Sequence, residues 1–332
     1  MRRNKREPEG IAIISHRGAS GHRPEHTLGS YELGARYGGD FIEIDLVATA
    51  DGRLIARHEP EISGTTDVAD HPEFADRRTT RLIDGTEATG WFAEDFTLAE
   101  IKTLRATEWI PRIRPDNTAH DGEYEIPTLQ EIIDLAKKLT TELARPIGVY
   151  PETKHPAYHR SIGRDLEPPL IATLRENGLA GPDPEVPVFL QSFEAESLRR
   201  LSETGLPLVF LMGAGDHWQR YLTPDGLAEA ASFAHAIGPA KNLVVSRDTD
   251  GNLDEPTSLV DDAHEAGLLV HPYTFRSENH FLPANFRSGD DPNAYGGFAA
   301  EYEAFFETGV DGVFTDHSRH AFLARELFTQ QE

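Results

Sequence analysis

Short hydrophobic runs recur along this chain, and most are separated by enough residues to form a helix. Each run is short enough to be a buried strand. The runs cover residues 11–15, 41–47, 147–150, 188–191, 208–212, 243–245, 268–270 and 310–314.

Segments with helical spacing follow these runs. In residues 128–139, for example, Leu129, Ile132 and Ile133 fall on one helical face. The other segments cover about residues 27–37, 162–177, 194–203, 224–237, 256–266, 298–308 and 319–327. Each strand candidate is thus followed by a helix candidate. This order predicts an α/β protein of the (β/α)8 TIM-barrel type in preference to an open doubly wound sheet.

The alternation is interrupted after the second run, because residues 48–127 intervene before the next helix. Loops between strands and helices in such folds usually have about two to six residues. We therefore predict a small insertion domain between strand 2 and helix 2, at residues 48–127. The barrel would comprise residues 11–47 and 128–330, and residues 1–10 would be a flexible tail. From its position, we expect the insertion to cap the barrel mouth.

Functional side chains of such barrels collect at the carboxyl ends of the strands. Several of the predicted strands end in charged groups, which packing alone explains poorly. The polar residues at these ends are His16, Arg17, Glu43, Asp45, Glu152, Lys154, Gln191, Ser246, His271, Tyr273, Thr315 and Asp316.

Glu43 and Asp45 lie two residues apart on the second strand, so their side chains share one face. Two like charges on an otherwise apolar strand are costly to bury without compensation. A divalent cation would supply it, and so would a salt bridge from Arg17 or a later lysine. The chain has no cysteine, so a metal site here would use hard oxygen ligands, which suit Ca²⁺ or Mg²⁺. The local pattern favours neither interpretation.

Four motifs in a fixed order carry a resemblance. They are His-Arg-Gly at 16–18, Pro-Glu-His-Thr at 24–27, Glu-Ile-Asp at 43–45, and a strand that ends in His58. This set resembles the glycerophosphodiester phosphodiesterase family, in particular its longer, periplasmic-type bacterial members. The resemblance implies a phosphoric diester hydrolase that acts on small-molecule phosphodiesters.

The resemblance also implies roles for the motif residues. His16 and His58 would act as general acid and base, although their order stays open. Arg17 would hold phosphate, and Glu43 and Asp45 would bind one divalent cation, Ca²⁺ or Mg²⁺.

One residue departs from the family pattern, because Glu59 follows the second histidine where Asp is more usual. The extra methylene leaves the metal site unchanged but bears on how His58 is oriented.

Later strand ends extend the resemblance. Glu152 and Lys154 form an acid–base pair that alone would favour a simple ion pair. The family carries Glu-x-Lys at this point, which implies that Glu152 is a third metal ligand and that Lys154 contacts phosphate or the carboxylates. Gln191 and Tyr273 would contact substrate.

The implied reaction is metal-dependent hydrolysis of glycerophosphodiesters to glycerol 3-phosphate and an alcohol, a step of glycerol and lipid metabolism. Two alternatives are a phospholipase D-like activity on lysolipids or sphingolipids, and a non-catalytic barrel that binds phosphate or sugar. An amidohydrolase is disfavoured because Gly18 stands where its His-x-His motif needs the second histidine.

The formal net charge of −24 argues against nucleic acid or an anionic membrane surface as a partner. An anionic substrate must therefore meet a local cluster of positive charge. No signal peptide and no transmembrane run is predicted, so we expect a soluble protein, cytoplasmic as given or extracytoplasmic if a leader has been removed. Composition leaves the oligomeric state open.

Overall fold

The computed structural model describes residues 10–181 and 184–331; nearly all of the predicted tail, residues 1–9, lies outside them. The described strands are β1 (Ala12–Ser15), β2 (Phe41–Ala48), β3 (Leu54–Ala56), β4 (Thr79–Ile83), β5 (Thr86–Gly90), β6 (Gly148–Thr153), β7 (Leu190–Ser192), β8 (Leu208–Met212), β9 (Ala236–Pro239), β10 (Val245–Arg247), β11 (Leu253–Pro256), β12 (Leu269–Val270) and β13 (Gly312–Thr315).

The α-helices of the described residues are α1 (Leu28–Arg36), α2 (Leu98–Ile101), α3 (Leu129–Leu143), α4 (Pro156–Ser161), α5 (Glu167–Glu176), α6 (Ala195–Leu201), α7 (Pro224–Ala231), α8 (Leu259–Glu265), α9 (Phe298–Phe306) and α10 (Ser318–Thr329). No helix in these two ranges is both long and apolar enough to cross a membrane.

Eight parallel strands form a nearly closed barrel, in the order β12-β9-β8-β7-β6-β2-β1-β13. Backbone hydrogen bonds join its two ends: Asp311 N donates to Val270 O at 2.9 Å, and Phe314 N donates to Pro272 O at 3.0 Å. The predicted (β/α)8 fold is confirmed.

The sixth strand was predicted wrongly. The barrel strand is β9, which the helix predicted over 224–237 had partly absorbed, whereas residues 245–247 form an antiparallel hairpin with β11 outside the barrel. Gly238 and Pro239 in β9 are typical of a loop. The barrel needs a small residue here, because a Cβ on Gly238 would lie 2.5 Å from Leu211 Cδ2.

Alternation along β2 decides where its acids point. Ile42, Ile44 and Leu46 belong to the hydrophobic cluster between the strands and the surrounding helices. Glu43 and Asp45 alternate with them and therefore point into the barrel interior.

The first strand that lies wholly within residues 48–127 is β3, which pairs antiparallel with β2. The segment includes much of a second hydrophobic cluster, containing Phe74, Phe96 and Leu104. Its β4–β5 hairpin turns through Asp84 and Gly85, which have φ angles of 48° and 84°. Two residues with positive φ are what a tight hairpin turn requires. The division of the chain into a barrel and an insertion domain stays a prediction.

Candidate active site

One cavity of about 400 Å³ lies at the carboxyl ends of the barrel strands. All the residues that the sequence analysis assigned to a site line it: His16, Arg17, Glu43, Asp45, His58, Glu152, Lys154, Gln191 and Tyr273. They come from separate strands and loops, so the barrel is what brings them together.

Three buried carboxylates form the floor of this cavity. Glu43, Asp45 and Glu152 each offer an oxygen, and these atoms lie within 4.8 Å of one another. Burial is the main cause that raises the pKa of Glu152 to about 8, while the charge of Lys154 lowers this pKa and Asp45 raises it. Burial and the charge of Asp45 likewise raise the pKa of Glu43. In contrast, although burial opposes it, the charges of Lys154 and Arg17 lower the pKa of Asp45 well below its usual value. The neighbouring cations therefore offset only part of the negative charge of the cluster.

Neighbouring groups fix the direction of these carboxylates. Arg17 donates its backbone N–H to Glu43 Oε2 at 2.7 Å, and Gln191 donates Nε2–H to Glu43 Oε1 at 3.0 Å. Lys154 Nζ lies 3.1 Å from Glu152 Oε1 and 3.7 Å from Asp45 Oδ1. The side chain of Gln191 is thus turned toward the carboxylates.

The cluster fits a divalent cation. Its donors are hard oxygens, the ligands that Ca²⁺ and Mg²⁺ prefer. The amide oxygen of Gln191 is also buried and has no hydrogen-bond partner among the described residues. Buried carboxylates this close normally share a proton or hold a metal ion. These residues therefore suit a cation with oxygen ligands.

His16 is held from behind by Asp316, whose Oδ1 lies 2.6 Å from His16 Nδ1. An ionised carboxylate only accepts hydrogen bonds. Nδ1 therefore carries the proton, and Nε2 is the nitrogen left for substrate. Burial and the charge of Arg17 lower the pKa of His16 to about 4, although Asp316 opposes them.

His58 makes an ion-pair contact with its neighbour Glu59, whose Oε1 lies 3.1 Å from His58 Nδ1. Its side chain is about one third exposed (33%), compared with 11% for His16. Desolvation and the charges of Arg17 and Lys154 lower the pKa of His58 well below its usual range.

The two cations assigned to phosphate are themselves held by acids. Arg17 Nη1 donates to Glu25 Oε2 at 2.7 Å, and Arg17 Nε lies 3.2 Å from Asp45 Oδ2. Arg17 and Lys154 together form the local positive cluster that an acidic protein needs to attract an anion.

Tyr273 lines the cavity at the rim, where its hydroxyl donates to Met212 O at 3.1 Å.

Sequence reasoning missed three contributors to the site. His26, to which the sequence analysis assigned no role, is fully buried, and its Nε2 lies 2.9 Å from Asp45 Oδ2. Asp316 was noted only as a polar strand end. Lys241 follows β9, the barrel strand that the sequence analysis missed. It lines the cavity and pairs with Glu301 at 2.6 Å. Correct placement of β9 would have found Lys241, because it follows the carboxyl end of that strand.

Residues 16–320 match the model of the glycerophosphoryl diester phosphodiesterase family. Solved structures share the fold. A putative glycerophosphoryl diester phosphodiesterase from Silicibacter pomeroyi superposes with a TM-score of 0.66 and 21% identity, over 98% of this chain and 95% of its own. The fold and the site thus define a phosphoric diester hydrolase built on a (β/α)8 barrel.

Curated relatives agree. The glycerophosphodiester phosphodiesterase GDPD6 of Arabidopsis thaliana is 36% identical, over 95% of this chain and 86% of its own length. A glycerophosphodiester phosphodiesterase of Haemophilus influenzae is 30% identical, over 92% of this chain and 86% of its own. The chain belongs to the glycerophosphoryl diester phosphodiesterase family.

A phosphodiesterase of Oleispira antarctica, solved in complex with the product sn-glycerol-3-phosphate, has the same fold. Its TM-score is 0.59 at 19% identity, over 96% of this chain and 97% of its own.

Proposed function

We propose that this chain hydrolyses glycerophosphodiesters to glycerol 3-phosphate and an alcohol in a divalent-metal-dependent reaction, with His16 and His58 transferring the protons. The observation that carries the proposal is that two imidazoles, two cations and a carboxylate cluster all face one cavity. The names of the curated relatives support the same substrate class.

Glu43, Asp45 and Glu152 would hold one cation, Ca²⁺ or Mg²⁺. When bound, such an ion polarises a phosphoryl oxygen and offsets negative charge that develops in the transition state. The raised pKa values of Glu43 and Glu152 support this assignment, because a bound dication would favour the ionised form of both groups.

Arg17 and Lys154 bind the non-bridging oxygens of the phosphodiester. Arg17 is oriented in advance by Glu25, so little reorganisation is needed when the anion arrives. Tyr273 contacts the remainder of the substrate at the rim. Gln191 contacts substrate from a position that its hydrogen bond to Glu43 fixes.

The proton transfers use the Nε2 atoms of the two histidines. One imidazole takes a proton from the attacking oxygen as the new P–O bond forms. The other gives a proton to the alcohol oxygen as the old P–O bond breaks. The lowered pKa values of His16 and His58 keep the base neutral, and an anionic substrate favours protonation of the acid. Each transfer typically contributes about 10² to 10⁴ in rate.

The test is product analysis with glycerophosphocholine. We expect glycerol 3-phosphate and choline in equal amounts, loss of turnover after chelation, and recovery with added Ca²⁺ or Mg²⁺. Separate additions of the two ions identify the one that the enzyme uses. Release of glycerol and phosphocholine, or turnover that survives complete chelation, would contradict the proposal.

The two alternatives give different results in the same assay. Choline release from a lysolipid but not from glycerophosphocholine would indicate a phospholipase D-like enzyme. Saturable binding of the diester without turnover under any metal condition would indicate a non-catalytic barrel.

A further inference from the structure

We propose that His155 is a positioning residue for catalysis: it holds Glu59 against His58 and is itself held by Asp84 of the β4–β5 hairpin. We call Glu59, His155 and Asp84 the His155 relay. The inference rests on the proposed function, because it assumes that His58 transfers a proton.

The relay consists of two hydrogen bonds, Asp84 to His155 and His155 to Glu59, and one ion-pair contact from Glu59 to His58. Glu59 uses its two oxygens for different partners: Oε1 lies 3.1 Å from His58 Nδ1, and Oε2 lies 2.9 Å from His155 Nε2. The other nitrogen of His155, Nδ1, lies 2.6 Å from Asp84 Oδ2. Every step of the chain is within hydrogen-bond distance.

The protonation of the relay follows from its partners. Both nitrogens of His155 face carboxylates, which only accept hydrogen bonds, so both nitrogens carry protons and the ring is an imidazolium. Although burial opposes it, the hydrogen bonds that His155 donates to Glu59 and Asp84 raise the pKa of His155. Glu59 therefore has a fixed cation on one oxygen and directs the other toward His58.

Glu59 needs such a partner because its side chain is 46% exposed and carries one more rotatable bond than aspartate. Fixing such a side chain costs conformational entropy. The charge-assisted hydrogen bond to His155 opposes that cost. The relay thus compensates for the longer residue that departs from the family pattern.

Backbone geometry supports the same interpretation. His155 has φ 43° and ψ 51°, and Asp84 has φ 48°. The left-handed region is unfavourable for a non-glycine residue. Both partners of this hydrogen bond adopt it, and Asp84 does so in the two-residue turn of the hairpin. The turn thus directs Asp84 toward His155.

The experiment compares His155→Ala with wild type on glycerophosphocholine. We expect kcat to fall about tenfold while KM stays within twofold, because the relay acts on the proton-transfer group and touches no substrate. Glu59→Ala should lower kcat to a similar degree, and the double variant should be no worse than the worse single variant. His155→Gln, which keeps a donor toward Glu59, should recover part of the loss.

A matched control is His120→Asn. His120 pairs with Glu123 at 2.8 Å. It belongs to residues 48–127, as Glu59 and Asp84 do, but does not line the cavity. This variant should leave both kinetic constants unchanged. Additive losses for His155→Ala and Glu59→Ala, a kcat within twofold of wild type, or a loss confined to KM would overturn the proposal.

A second readout does not depend on turnover. In ¹⁵N-resolved NMR spectra, with His58 assigned by its substitution, we expect a single ring tautomer with the proton on Nδ1. His155→Ala should replace it with an averaged signal. If wild type shows the fixed tautomer but no variant affects catalysis, the relay is present without a catalytic role. If wild type is inactive on glycerophosphodiesters, the proposed function fails while the NMR result still tests the relay geometry.

Discussion

Each histidine of the site has a carboxylate next to its Nδ1 atom, but the two carboxylates lie in different surroundings. Behind His16, Asp316 is buried and also accepts from Arg114 and Arg276, each at 2.7 Å. Behind His58, the support is the half-exposed His155 relay. The hydrogen bond to Asp316 sets the tautomer of His16, and under our proposal the contact with Glu59 does the same for His58. The first support is part of the protein core, whereas the second lies within reach of solvent and salt.

Because one support is buried and the other is exposed, we expect their removal to affect stability and catalysis differently. Removal of the core support should damage the fold and the reaction together. Removal of the surface support should damage the reaction almost alone, because exposed ion pairs contribute only about 0–1 kcal/mol. Substitutions of the two histidines and of their supports test this comparison.

The largest effect should come from the imidazoles themselves. His16→Ala and His58→Ala should each lower kcat by about 10² to 10⁴, the usual contribution of a positioned acid or base. Steady-state kinetics on glycerophosphocholine measure this. If either variant keeps kcat within tenfold of wild type, that histidine is not an acid–base group.

Asp316→Ala should have the next largest effect. It would remove one partner of the buried ion pair with Arg114, a change that typically costs about 3–5 kcal/mol, although Glu278 remains against Arg114 and reduces this cost. It would also break the ion pair with the partly buried Arg276 and free His16 to rotate. We expect a lower free energy of unfolding in urea and a lower kcat. Glu123→Ala, which removes the exposed partner of His120, is the control and should change neither. An unchanged free energy of unfolding for Asp316→Ala would contradict the assigned difference between the two supports.

The contributions of His16 and His155 to stability should respond to pH in opposite directions. The pKa of His16 is lowered from 6.5 to about 4, so between these values the unfolded chain binds a proton that the folded chain does not. Its contribution to stability therefore falls as pH falls through this window. The pKa of His155 is raised, so its contribution is complete below about 6.5 and is lost as pH rises through the folded value.

Urea unfolding at a series of pH values checks these signs. His16→Asn should flatten the acid side of the stability curve, and His155→Gln should flatten the side above pH 6.5. The opposite assignment of slopes to the two variants would show that the protonation states are wrong.

The smallest expected effect is that of salt concentration on kcat. Raising NaCl from 0.1 M to 1 M shortens the screening length from about 10 Å to about 3 Å. The ratio of wild-type to His155→Ala kcat should shrink as the exposed relay weakens in wild type. The ratio for Asp316→Ala should stay constant. Equal salt responses would mean that exposure does not distinguish the two supports.

The barrel and the residues around its mouth could be predicted from short-range signals. Apolar runs located seven of the eight barrel strands, and β9 was missed because its Gly238 and Pro239 are typical of a loop. The nine predicted site residues line one cavity because all but His58 lie at or beside the ends of barrel strands. Their roles, and the insertion domain at 48–127, stay predictions.

Two contacts of the supports could not be predicted, Asp316 with His16 and Asp84 with His155, because each joins residues far apart in the chain. Asp316 is 300 residues from His16, and Asp84 is 71 residues from His155. Nothing in a local pattern indicates that an exposed hairpin turn meets a loop beyond β6. His26 shows the same limit, since its contact with Asp45 spans 19 residues.

Arg114 and Asp84 both belong to the stretch that interrupts the barrel between β2 and α3. One reaches Asp316 on the side of the first imidazole, and the other reaches His155 on the side of the second. An engineer who exchanges this stretch for that of a relative to alter headgroup preference would therefore also exchange the two anchors of the proton-transfer groups. A functional chimera would have to keep those two side chains, or acquire substitutes for both.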